Sequence, residues 1–202
     1  MTWMDQPDPL WVLGTDTDVG KTHVSALLAR QGATTGPVTY RKPFQSGVPH
    51  PLDPASDLAR VQGTGITVEN WVTLRAPLSP LAAAEAEGRT LDLDEALAWC
   101  RRPWEGRLIL EGVGGVMVPL AGRTHFLAWA TDLGWPALLV ARGGLGTLNH
   151  TLLSCEALML RGWRVSGVLL NAGVDHSSEA ARRNADILSR LLPCPVHVLE
   201  TR

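Results

Sequence analysis

The sequence predicts a doubly wound α/β fold, a mostly parallel sheet flanked by helices. Strand-like and helical stretches alternate along the chain, the arrangement that builds a parallel sheet from strand–helix–strand units. The strand candidates, such as Leu108-Ile109-Leu110 and Ala137-Leu138-Leu139-Val140, are near-continuous apolar runs, as expected of strands covered on both faces. A glycine-rich turn joins the first strand to the first helix, where such folds bind their ligands.

In chain order, residues 10–13 read as a buried strand and residues 24–30 as the helix that follows. A short strand over 38–41 ends at Lys42-Pro43. A residue before proline is held extended, so Lys42 should project from the strand's carboxyl edge. The loop 44–54 is rich in proline, glycine and serine, and Ser56-Asp57 is a natural start for a helix over 58–61. The middle, 63–107, shows no chemistry. Ser79-Pro80 opens an alanine-rich helix through Glu87, and Asp92 with Glu95 has capping-box spacing for another. Residues 107–111 form a central strand ending in Glu111 and the turn Gly112-Val113-Gly114-Gly115. Then come a helix over 124–133, a strand over 137–141, a loop over 142–146, a long helix over 147–161, a strand over 165–170 and a helix over 177–192. A short apolar tail, 196–199, follows.

With 202 residues the chain is long enough for one well-buried domain, 1–202, and nothing in it forces a second. The formal net charge of −2 shows no basic excess, which argues against a nucleic-acid binder. Residues 1–9 hold Asp5 and Asp8 and no basic residue, unlike a secretory or transit segment, and no apolar run reaches membrane-spanning length. Cys100, Cys155 and Cys194 are too far apart for a zinc or disulfide framework, so a cytoplasmic location is expected. The eight tryptophans are scattered and read as packing.

The chemistry centres on Gly14-Thr15-Asp16-Thr17-Asp18-Val19-Gly20-Lys21-Thr22. Its glycines let successive backbone N–H groups point at phosphate oxygens, and the helix start adds its positive dipole end. Lys21 would reach the outer phosphates and the Thr22 hydroxyl would ligate Mg²⁺. Gly14 and Gly20 have one more residue between them than the usual phosphate-loop pattern. Three further groups fall at strand carboxyl ends: Lys42, Glu111 and Asn171. A carboxylate on an apolar strand is costly to bury unpaired, and an Mg²⁺ ligand role for Glu111, direct or through water, resolves that cost. Asp57 reads either as a further metal oxygen or as a helix N-cap. Lys42 reads either as a solvated strand-end lysine or as a second cation for a phosphoryl-transfer transition state. The helix start at Gly146-Thr147-Leu148-Asn149-His150 offers N–H groups to a carboxylate, or is simply capped by Thr147.

Together the phosphate loop, Lys42-Pro43 with Ser46-Gly47, Ser56-Asp57, Glu111-Gly112-Val113-Gly114-Gly115 and Leu145-Gly146-Thr147-Leu148-Asn149-His150 resemble the dethiobiotin synthetases, in order and over most of the chain. The resemblance implies a P-loop nucleoside triphosphate hydrolase-like fold and a cytoplasmic homodimeric ligase of biotin synthesis. Such a ligase closes a ureido ring on 7,8-diaminopelargonate with CO₂, ATP and Mg²⁺, through a carbamate and a carbamic–phosphoric anhydride. Carried over by position, Lys21, Lys42 and Thr17 would be catalytic. ATP would meet Asp18, Val19, Gly20, Lys21, Thr22, Asp57, Glu111, Gly112, Gly114 and Asn171, the last reading the adenine. Substrate would meet Thr17 and Ser46, with Thr147, Leu148 and Asn149 holding its carboxylate across the dimer interface; the metal shell would be Thr22, Asp57 and Glu111. The family carries more chain beyond the position of Val196, including a loop over the base, so weak selection among nucleoside triphosphates is expected. Two alternatives are a ParA- or MinD-like nucleotide switch, which would carry a lysine early in the loop where Thr15 and Asp16 stand, and a cobyrinate-type amide ligase domain, which normally has an added glutaminase domain.

Overall fold

The structure, a computed structural model, describes residues 6–173 and 178–200. In chain order its elements are β1 (Leu10–Gly14), α1 (Lys21–Gly32), β2 (Val38–Ser46), α2 (Asp57–Val61), β3 (Ile66–Leu74), α3 (Pro80–Ala86), α4 (Leu93–Cys100), β4 (Arg107–Glu111), β5 (Pro119–Ala121), β6 (Thr124–His125), α5 (Phe126–Ala130), β7 (Ala137–Arg142), α6 (Thr147–Leu160), β8 (Val165–Asn171), α7 (Ser178–Leu191) and β9 (Val196–Leu199). Seven strands form a parallel sheet in the order β3-β2-β4-β1-β7-β8-β9, and β5 and β6 make a separate hairpin. The fold is the doubly wound one expected. The chain runs from β1 to one side of the sheet and returns through β4 and β7 to the other, so β1 and its loop lie at the reversal of direction.

The two-residue period of β1 splits the core. Leu10 and Val12 join α1 and α2 on one face, with Tyr40, Ile109 and Leu138; Trp11 and Leu13 join the helices α3 to α7 on the other. The second face is rich in aromatic rings. Trp11 meets Phe126 edge-on at 5.3 Å, and Phe44 meets Trp129 at 5.0 Å and Trp71 at 5.5 Å.

Several boundaries differ from expectation. β2 does not stop at Lys42-Pro43 but runs on to Ser46. Past Arg41 it has parted from β4 and pairs with β3 alone, so the missing N–H of Pro43 breaks no central ladder. The edge strand β3 lies in the middle region that carried no sequence signal. Its polar Glu69 and Asn70 interrupt the apolar alternation because they serve β2: Glu69 pairs with Arg41, and Asn70 Nδ2 donates to the Lys42 carbonyl at 2.7 Å. The helix expected over 124–133 is divided into β6, α5 and a 3₁₀ turn, Thr131–Leu133. His125 Nδ1, accepting from the Ala128 N–H at 3.2 Å, caps α5 and fixes its start. The apolar tail is β9, paired to β8. Ser177, where the last helix was expected to begin, lies outside the described residues.

Arg41 points away from the phosphate loop and is fully buried. Its guanidinium pairs with Glu69 and donates to the carbonyls of Cys100, Arg102 and Pro103 at 3.1, 2.7 and 2.9 Å, beneath Trp99. One cation thereby ties β2 to the C-terminal end of α4. Replacing it with methionine leaves three carbonyls and a carboxylate without their donor, and lysine cannot reproduce the planar fork. We expect Arg41→Met to cost about 3 kcal/mol or more and to lower Tm by roughly 6–12 °C, with Arg41→Lys recovering less than half. Thermal denaturation of the two variants checks this; an unchanged Tm would mean that the clamp contributes nothing to stability.

Candidate active site

The loop between β1 and α1 is shaped by two left-handed positions, Asp18 (φ 55°) and Gly20 (φ 98°). Gly20 is the N-cap of α1 and offers no side-chain acceptor, so the first N–H groups of the helix remain open to a ligand. A Cβ on Gly20 would also stand 2.1 Å from Asn171 Nδ2, so glycine is required by space as well as by conformation. Lys21 Nζ donates to the Asp16 carbonyl at 2.8 Å, curled under the loop it belongs to. Burial and the neighbouring Lys42 lower its pKa to about 8, against the opposing pull of Glu111, Asp57 and Asp16.

Three elements then converge on one point. Tyr40 and Lys42 are two residues apart on β2 and share a face; Tyr40 stands opposite Ile109, so Glu111 follows on that same face of β4. Glu111 is 1% exposed. Its Oε1 accepts from Lys42 Nζ at 2.7 Å and lies 2.8 Å from Thr22 Oγ1, while its Oε2 accepts from the Tyr40 hydroxyl at 2.9 Å. Asp57, the first residue of α2, also pairs with Lys42, and its Oδ1 lies 2.7 Å from Thr22 Oγ1. Ser56, not Asp57, is the N-cap of that helix. Burial alone would lower the Lys42 pKa, but Glu111 and Asp57 more than offset it and raise it. Burial would raise Asp57; Lys42 and Thr22 outweigh that and hold its carboxyl below the usual range. Burial, with the Glu111 charge, pushes Tyr40 well above an ordinary phenol.

This geometry changes the reason for Glu111. Its carboxylate is not unpaired, as an isolated acid on an apolar strand would be, because Lys42 and Tyr40 already meet it. The case for a cation rests instead on Thr22. Its hydroxyl oxygen stands within 2.8 Å of Asp57 Oδ1 and Glu111 Oε1, one oxygen of each carboxylate that Lys42 pairs with. Three oxygens therefore crowd one point at the mouth of a phosphate loop, a donor set that fits Mg²⁺ completed by phosphates and water. Among the described residues, no three histidine, cysteine, aspartate or glutamate side chains form a metal cluster.

Lys21, Thr22, Lys42, Asp57 and Glu111 line a cleft of about 710 Å³ that also includes Thr17, Asp18, Gly20, Ser46 and Gly114. Sequence reasoning missed several of its walls: His23, Arg60 and the segment 77–80, whose Leu78 carbonyl accepts from Ser46 Oγ at 2.8 Å. It also missed Tyr40, which reads as an ordinary strand aromatic; its two-residue offset from Lys42 was the available signal. A second cavity of about 440 Å³, bounded by Thr15 to Thr17, Gly114 to Val118, and His150, Leu153, Ser154 and Ala157 of α6, adjoins the cleft at Thr17, Gly114 and Val118. Other expected residues stand elsewhere. Val19 and Gly112 are buried behind the loops. Asn171 is buried; its Nδ2 donates to the Val19 carbonyl at 3.2 Å and its Oδ1 accepts from the Gly173 N–H at 3.2 Å, so it supports the phosphate loop from behind. Thr147 is buried with its hydroxyl 3.3 Å from that of Thr151, and Leu148 and Asn149 line neither cavity.

Comparison with known proteins bears on the whole chain. A family model described as an AAA domain matches residues 8–197. The ATP-dependent dethiobiotin synthetase BioD of Anaeromyxobacter dehalogenans is 40% identical over 190 residues, covering 90% of this chain and 84% of that protein. The protein of the same name from Haloferax mediterranei is 38% identical, covering 93% and 82%. Among solved structures, a nucleotide-binding protein from Archaeoglobus fulgidus in complex with ADP aligns with a TM-score of 0.52 at 16% identity, over 96% of this chain and 81% of that one, a likeness of fold alone.

The lowered Lys21 pKa has a measurable sign. A pKa lowered to about 8 by burial and Lys42 predicts a free Lys21 that loses its charge as pH rises past 8, whereas a bound phosphate favours its charged form. Binding of metal-free ADP should then take up roughly half a proton or more near pH 8.5, and that uptake should fade toward pH 7, where Lys21 is already charged. Calorimetry in two buffers of different ionisation heat measures it. No uptake at pH 8.5 would mean that phosphate binding does not change the charge of Lys21.

Proposed function

Since the chain belongs to the dethiobiotin synthetase family, we propose that it acts as a single ligase domain. In this reading it closes a ureido ring on 7,8-diaminopelargonate with CO₂ and ATP, giving dethiobiotin, ADP and phosphate. The observation that carries this reading is the meeting of two buried lysines, a hydroxyl and two carboxylates at the mouth of the phosphate loop. They share one cleft with the hydroxyl side chains of Thr17 and Ser46, the latter donating to the Leu78 carbonyl.

The chemistry asks for positioning and charge stabilisation rather than a protein nucleophile. One substrate amine adds to CO₂ and loses a proton, giving a carbamate. A carbamate oxygen then attacks the γ-phosphorus as ADP leaves, and the second amine attacks the carbonyl carbon as phosphate leaves. Lys21 and Lys42 would hold the γ-phosphoryl oxygens as charge shifts toward the leaving ADP. Thr17, at the junction of the two cavities, and Ser46 would orient the two amines. The open N–H groups after Gly20 and the residues Asp18 to Thr22 would cradle the phosphates, with Gly112 and Gly114 shaping the facing turn. Mg²⁺, when bound, would be held by Thr22, Asp57 and Glu111 and would supply neutralisation of the phosphate charge.

The aliphatic part of the diamine would lie along the adjoining cavity, whose walls include Val116, Met117, Val118, Leu153 and Ala157. A homodimer is part of the proposal. Leu153 and Leu160 of α6 are exposed at 58% and 81%, as is Leu145 before it, a face that a second copy would cover. Thr147, Leu148 and Asn149 stand outside their own chain's cavities, which suits a contribution to the substrate carboxylate of the partner. A cytoplasmic location, where ATP is made, belongs to the same reading, and the described cysteines are free thiols.

The test is turnover of ATP with and without diaminopelargonate and bicarbonate. The ligase requires both; turnover indifferent to the diamine would overturn the assignment. Within that assay Lys42→Ala should lower kcat by roughly 10²-fold, the scale of losing one preorganised donor, in protein shown to be folded. Near-normal turnover in Lys42→Ala would take Lys42 out of the mechanism.

A further inference from the structure

We propose that Tyr40 is a positioning residue for the metal-facing carboxylate: its hydroxyl holds Glu111 so that Oε1 alone is turned to Thr22 and Lys42. The inference rests on the reading of Glu111 as part of the Mg²⁺ shell and extends it to a residue outside the cleft.

Tyr40 is wholly buried and lines neither cavity, so substrate cannot reach it. It shares a face of the sheet with Ile109 and Glu111 of β4. The phenol is long enough to span the two-residue rise of about 6.6 Å between Ile109, which stands opposite Tyr40, and Glu111. Its oxygen ends 2.9 Å from Glu111 Oε2. The other oxygen of the same carboxylate takes Lys42 and Thr22. The two oxygens thus have separate duties, and the side of the carboxylate away from the cleft is pinned by one donor. Without that hydroxyl, Oε2 would be left buried and unmet, and the carboxylate would turn about its last bond toward another donor. Oε1 would then leave the point where it converges with Thr22 and Asp57. Partners that stand behind a metal ligand in this way typically change metal affinity by 10–100-fold when removed.

Tyr40 is the only tyrosine in the chain, so it can be observed in the unaltered protein. With tyrosine labelled at the ring carbon bearing oxygen, addition of Mg²⁺ to the ADP complex should shift its single resonance, and addition of ADP alone should not. Tyr40→Phe removes only the hydroxyl. The half-saturating Mn²⁺ for the protein–ADP complex, read by magnetic resonance of the ion, should rise roughly tenfold, while kcat at saturating Mg²⁺ stays within about threefold. Glu111→Gln is the reference. If Glu111→Gln leaves Mn²⁺ affinity unchanged, the metal reading of Glu111 fails and the inference with it. If Glu111→Gln weakens the ion but Tyr40→Phe does not, Tyr40 is merely structural and the inference alone is overturned. A tyrosine resonance indifferent to Mg²⁺ overturns it in the same way, without any variant.

Discussion

Glu111 is the constraint around which the site is assembled. A carboxylate at 1% exposure cannot rely on water, so the fold must supply its partners. They come from two separate parts of the chain, Thr22 from the start of α1 and Tyr40 and Lys42 from β2, and Asp57 from α2 shares the lysine. The parallel pairing of β2 with β4 brings them together, because Tyr40, Lys42, Ile109 and Glu111 all point to the α1 face. A one-residue slip of β2 would send both the lysine and the tyrosine to the opposite face.

That register is held from behind. Arg41 points the other way from its two neighbours and locks β2 onto Glu69 and the carbonyls after α4. The charged residues at 41 and 42 therefore divide the work: one cation fixes the strand, the other faces the cleft. Asn171 has a comparable role for the phosphate loop. Its amide meets the Val19 carbonyl, and its closeness to Gly20 leaves no room for a side chain at the N-cap of α1. The loop is preorganised by the far strand β8, which agrees with open helix N–H groups being ready for phosphate before it arrives.

Much of this was legible in the chain. The near-continuous apolar runs gave the parallel sheet, because strands covered on both faces have no polar side to show. Gly14 to Thr22 gave the phosphate loop, because the need for open N–H groups, a lysine and a hydroxyl leaves few alternatives. Lys42 and Glu111 stood out because charge beside apolar strands demands a reason. The resemblance to dethiobiotin synthetases then ordered these pieces into one activity, and the relatives at about 40% identity agree with it.

The tertiary structure decided what depends on partners distant in sequence. β3 was invisible because an edge strand whose Glu69 and Asn70 serve a neighbour loses its apolar period. Beyond its two-residue offset from Lys42, nothing marked Tyr40, because a buried phenol and a core aromatic look alike until the acceptor across the sheet is known. The place of Asn171 behind the loop, and of Leu148 and Asn149 outside their own cavities, likewise follows from packing. Local sequence fixes which backbone a segment prefers and which groups it carries. Which of those groups meet is set by strand order and register, and these are settled only when the sheet closes its contacts along the whole chain.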